Sequence, residues 1–135
     1  VGLVDKAKSQ FKRMSGGQKQ RFAIATTLVN TPKIVFLDEP TTGLDPQARR
    51  NLWELIKDIN KAGTTIVMTT HYMDEAEYLC NRVGIMDEGK IIALDTPDNL
   101  IENLIKSGFK GEKKARIASL EDVFINLTGK ALRDE

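Results

Sequence analysis

Only one cysteine, Cys80, stands in these 135 residues, which excludes an internal disulfide framework and fits a reducing compartment. No apolar run approaches the ~20 residues that a membrane-spanning helix needs, and no basic-then-apolar leader opens the chain. Charge of one sign is not in excess either. The 20 Lys and Arg residues face 19 Asp and Glu, for a formal net charge of +1; no global field points to nucleic acid or to an anionic membrane. A fourth absence matters most. Gly-x-x-x-x-Gly-Lys-Ser/Thr occurs nowhere; the nearest approach, Gly129-Lys130, is followed by Ala131. The chain therefore lacks the kind of loop that cradles the β and γ phosphates of a nucleotide.

What is present is enough apolar material, 41% of residues, for one ordinary domain with its own core. Ser15 with Gln18 three residues on is a capping-box pattern, and the helix it opens should stop before Pro32, with Phe22, Ala25 and Leu28 or Val29 on its apolar stripe. Ile34 to Leu37 reads as a buried strand running into Asp38 and Glu39. Asp45-Pro46 starts a second helix, whose stripe of Ala48, Leu52, Leu55 or Ile56, and Ile59 ends at Gly63. Thr64 to Thr69 is a second strand. Strand, helix, strand makes a βαβ unit, so both strands should be parallel and end on one sheet edge, bringing Asp38, Glu39 and His71 together.

Further on, Met73 to Cys80 suits a short helix with an acidic face of Asp74, Glu75 and Glu77. Residues 82–87 and 90–94 read as two strands around the turn Glu88-Gly89, and Thr96-Pro97 opens a helix carrying Leu100, Ile101, Leu104 and Ile105. Lys106 to Arg116 holds five basic residues and one acid. It reads as a solvated linker, with a phosphate or lipid patch as the other reading. Ser119 then caps a short helix with Val123, Phe124 and Leu127 that ends near Gly129.

Three features carry chemistry. Asp38, at a strand end, is placed to hold Mg²⁺, a hard ion that takes oxygen ligands and keeps part of its water. Glu39 is placed to polarise an attacking water, and His71 to donate to a terminal phosphate oxygen. Each also has a plainer reading: an acidic turn after a strand, and a histidine serving as a structural donor. Ser15-Gly16-Gly17-Gln18 combines a hydroxyl, two residues without Cβ and the unpaired N–H groups of a helix start, which together accept an anion. The same residues also make an ordinary helix cap.

In order and spacing these segments resemble the C-terminal part of the nucleotide-binding domain of ATP-binding cassette (ABC) transporters. Met14-Ser15-Gly16-Gly17-Gln18 looks like the family signature, with Met14 where leucine is commonest. Ile34 to Asp38 looks like Walker B, Glu39 like the catalytic glutamate, Gly43-Leu44-Asp45 like the D-loop and His71 like the switch histidine. The tail Leu120-Glu121-Asp122-Val123-Phe124, with Leu127-Thr128-Gly129, looks like the end of the exporter branch. What departs from the pattern is the Walker A loop and the glutamine loop, which precede the signature in that family.

The resemblance implies an α/β, P-loop NTPase-like fold, a three-layer arrangement of parallel sheet with helices, represented here by its C-terminal portion with the signature helix. Residues 1–107 would belong to the ATPase domain and 108–135 to a basic linker and accessory helix. ATP and Mg²⁺ are the implied cofactors. Asp38 would serve the metal, Glu39 and His71 catalysis, and Ser15, Gly16, Gly17, Gln18 and Asp45 nucleotide binding. The implied partners are a second nucleotide-binding domain, paired head to tail, and a transmembrane permease, at the cytoplasmic face of the membrane; no nucleic acid is expected. Because the chain begins at Val1 and lacks Walker A, it reads as a fragment that owns halves of two ATP sites and turns over neither. Such a fragment should also expose apolar edges and self-associate. Two other readings are a non-transport member acting on ribosomes or DNA-repair complexes, and a structural half-domain.

Overall fold

The computed structural model describes residues 11–109 and 118–129. The basic opening segment before Phe11 and most of the Lys106 to Arg116 stretch lie outside them. The chain divides into two compact units, one up to Thr70 and one from His71, where length and composition suggested a single core.

In the first unit, a 3₁₀ turn at Phe11–Arg13 precedes α1, Gly16–Leu28. The expected capping box is present: Ser15 Oγ accepts from Gln18 N at 3.2 Å and Gln18 Oε1 accepts from Ser15 N at 3.0 Å. The buried face of α1 differs from the expected stripe. Gly17 and Ile24, seven residues apart, face inward, while Phe22 is 42% exposed and sits against the Phe11 ring, centroids 5.6 Å apart. An aromatic partner just before the helix thus holds Phe22 outside the core.

β1, Ile34–Asp38, and β2, Thr65–Thr69, pair in parallel with α2, Pro46–Lys61, between them in sequence. The register sets Ile34 opposite Thr65 and Asp38 opposite Thr69. β1 is buried on one face only: Val35 and Leu37 point inward, while Ile34 is 53% and Phe36 76% exposed. A strand's side chains alternate, so the fully buried strand expected from four apolar residues needs cover on both faces. Here the buried apolar set of the unit is Ile24, Val35, Leu37, Leu52, Ile56 and Ile59. α2 starts where expected, with Asp45 Oδ1 accepting from Ala48 N at 2.9 Å and Pro46 in its first turn, and it closes into Gly63 at φ +103°.

The second unit holds α3, Met73–Leu79, the antiparallel pair β3, Val83–Asp87, and β4, Lys90–Asp95, then α4, Pro97–Lys106, and α5, Leu120–Thr128. Glu88 and Gly89 both have positive φ at the β3–β4 turn, the geometry that matches the twist of a tight hairpin. The core gathers Ala76, Ile85, Leu100, Leu104, Leu120 and Val123. Leu120 is 0% and Val123 2% exposed, so α5 contributes burial worth about 1.5–3 kcal/mol per side chain. The expected acidic face of α3 is not a solvated one. Asp74 is exposed, but Glu75 is fully buried and Glu77 Oε1 accepts from Leu120 N at 2.7 Å. Among the described residues, no helix is long and apolar enough to cross a membrane.

Candidate functional site

The acids at the end of β1 are held by a residue of β2 that the sequence did not single out. Thr69 donates its hydroxyl to Asp38 Oδ1, and the same hydroxyl accepts from Glu39 N at 3.2 Å. The Thr69 carbonyl accepts from Glu39 N as well, at 3.0 Å. One residue therefore fixes the Asp38 carboxylate and the Glu39 backbone together. Its only signal in the sequence is a β-branched residue at a strand end, which strand propensity already accounts for.

Glu39 adopts φ +43°, a left-handed conformation that costs a residue with a Cβ roughly 1–2 kcal/mol. Residues held there cluster at sites where the strained turn aims a side chain. The turn that follows is tight. Thr42 N donates to Glu39 O at 3.3 Å and Leu44 N to Thr41 O at 3.2 Å; Thr42 Oγ1 donates to Glu39 Oε2 at 3.4 Å. Thr41 is 0% exposed and Pro40 is buried, so the turn is anchored inward while Asp38 and Glu39 remain exposed.

An exposed carboxylate steadied by a hydroxyl fits Mg²⁺, which takes one or two carboxylates and fills its octahedron with water and substrate phosphate. Among the described residues, no group of three or more His, Cys, Asp or Glu side chains gathers to hold a metal.

The structure places the other expected residues as follows. Ser15 and Gly16 are exposed, and Gly17 is buried. Gln18 has its Oε1 committed to the cap, and Asp45 caps α2. The Ser15 end of α1 lies against the start of α2: a Cβ built on Gly16 would stand 3.5 Å from Leu44 Cδ2, and one on Gly17 would stand 2.9 Å from Ala48 Cβ. The signature-like turn and the Asp45 turn are thus neighbours in the first unit. His71 follows Thr69 by two residues and opens the second unit. It is half-buried, with its ring centroid 4.2 Å from that of Tyr72. Burial pushes the thiol pKa of Cys80 up, and the charge of Glu75 adds to the rise.

Residues 5–73 match the family model described as "AAA domain, putative AbiEii toxin, Type IV TA system". Among curated relatives, the chain is 43% identical to the linearmycin resistance ATP-binding protein LnrL of Bacillus subtilis, covering 77% of this chain and 33% of that protein. It is 35% identical to the Nod factor export ATP-binding protein I of Cupriavidus metallidurans, over 98% of this chain and 59% of the relative. The protein of the same name from Burkholderia thailandensis is 48% identical over 76% of this chain and 34% of its own length. A solved structure described as the ATP-binding subunit of an ABC transporter superposes with a TM-score of 0.67 at 29% identity, covering 87% of this chain and 45% of that one. The chain thus spans between a third and three-fifths of the length of these relatives.

Proposed function

The chain belongs to the family of ABC-transporter ATP-binding subunits, with their P-loop NTPase-type α/β fold, and from that premise we propose that it carries the hydrolytic residues of an ATPase that drives export through a membrane permease. The observation that carries this reading is the Thr69 clasp, which holds the Asp38 carboxylate and the Glu39 backbone at the end of a parallel strand pair. Ligands bind outside the carboxyl ends of strands in sheets of this kind.

In this reading Asp38 holds Mg²⁺, which when bound neutralises charge on the phosphate oxygens. Glu39, aimed by its left-handed turn and by Thr42, accepts a proton from the attacking water as general base. His71 donates to a terminal phosphate oxygen and offsets charge there. Ser15, Gly16, Gly17 and Gln18 present the N–H end of α1 to the γ-phosphate of a nucleotide held mainly by a second nucleotide-binding domain, with Asp45 facing the same dimer interface. That head-to-tail pair would sit on a permease at the cytoplasmic face of the membrane. The relatives named for export and for resistance support transport over action on nucleic acid or ribosomes.

The test is a chimera that joins a segment bearing a Gly-x-x-x-x-Gly-Lys-Ser/Thr loop to this chain, assayed for ATP turnover with and without Glu39→Gln. The variant should keep ATP binding and lose turnover by about 10²-fold or more, the scale of general-base catalysis. Turnover indifferent to Glu39→Gln would refute the assignment.

A further inference from the structure

Gly17 sits in the first turn of α1, where alanine is the better helix former by up to about 1 kcal/mol. Its φ is not in the left-handed region, so backbone conformation does not call for glycine. Space does. A Cβ on Gly17 would stand 2.9 Å from Ala48 Cβ and 3.8 Å from Ala48 Cα, whereas carbon atoms settle at about 3.5–4.0 Å. The obstructing atom is a methyl on a helix backbone and cannot swing away. Ala48 is itself fixed, because its N–H donates to Asp45 Oδ1 at 2.9 Å. A Cβ on Gly16 would meet Leu44 Cδ2, just before α2, at ordinary contact distance, 3.5 Å.

We propose that Ala48 is a positioning residue: its methyl, held by the Asp45 cap, seats the first turn of α1 at Gly17 and so ties the Asp45 turn to the Ser15 end of α1. Displacing one end then moves the other. The consequence for ATP rests on the nucleotide-facing reading of Ser15 to Gln18; the contact does not. Gly17 is a glycine for the neighbouring helix, whatever its backbone does toward a phosphate.

The experiment compares the whole chain with Gly17→Ala, Ala48→Gly, Ala48→Ser and the double variant Gly17→Ala/Ala48→Gly, by thermal unfolding and by ¹⁵N amide spectra. Gly17→Ala should lower Tm, against its helix propensity, and Ala48→Gly should recover much of that loss in the double variant. Ala48→Gly alone should shift the Ser15 and Gln18 amide resonances and leave those of α4 unmoved, while the near-isosteric Ala48→Ser should keep the wild-type pattern. A Tm for Gly17→Ala at or above wild type, or a double variant no better than Gly17→Ala, would overturn the proposal. If Gly17→Ala does not fold, the Ala48→Gly spectrum decides, and unshifted Ser15 and Gln18 amides count against it. None of these readouts involves ATP, so failure of the nucleotide reading leaves them separately interpretable.

Discussion

A single hydroxyl, that of Thr69, holds the Asp38 carboxylate and the Glu39 backbone at the end of β1. The acids themselves were legible, because an apolar run ending in Asp-Glu has few readings; their clasp was not, because it comes from a residue 31 positions away whose role depends on register. Asp95 shows a similar local dependence. It accepts from Asn99 Nδ2 at 2.9 Å and from Thr96 N at 2.7 Å. Asn99 first, and then the Thr96 N–H, hold its carboxyl below the usual carboxylate range against a smaller opposing effect of desolvation. A carboxylate with a depressed folded-state pKa stabilises the fold above its unfolded value, about 3.9, and loses that contribution as pH falls through the folded value. NMR titration should place the Asp95 midpoint below about 3.9 and show Asn99→Ala raising it. An unchanged midpoint in the variant would contradict the assignment.

Helix ends were the most legible elements. Ser15 with Gln18, Asp45 with Pro46, Thr96 with Pro97, and Ser119 with Gly129 bound helices close to where their side chains dictate, since a cap is a local hydrogen bond between residues three apart. Helix faces were less so. Phe22 turns to Phe11, Glu77 bonds α5 and Glu75 is buried, because a face is chosen by whatever packs on it. The bond from Leu120 N to Glu77 Oε1 gives this a measurable size. Removing a charged acceptor from a partly buried N–H costs about 1–3 kcal/mol. Glu77→Ala should therefore release protection of the Leu120 amide in hydrogen exchange by that amount, with Glu77→Gln, which keeps an acceptor, milder. Equal protection in wild type and Glu77→Ala would mean that the bond does not hold α5.

At the scale of the whole molecule, the order of strands and helices was legible and the division at Thr70 was not. Periodicity reports whether a segment wants cover, not how many neighbours it finds. Ile34 and Phe36 show this, being apolar and exposed on the outer face of β1. The family resemblance carried by Ser15 to Gln18, Ile34 to Glu39, Asp45 and His71 agrees with relatives that are each somewhat more than twice as long as this chain. The proposed function implies a division of labour, with acids and helix ends in these residues and a phosphate-gripping loop supplied from outside them. Steady-state phosphate release by the isolated chain, set beside the chimera that carries a P-loop, tests that division most directly. The isolated chain should stay at the buffer background, identical to its Glu39→Gln variant, while the chimera turns over ATP. Turnover by the isolated chain that Glu39→Gln abolishes would contradict it.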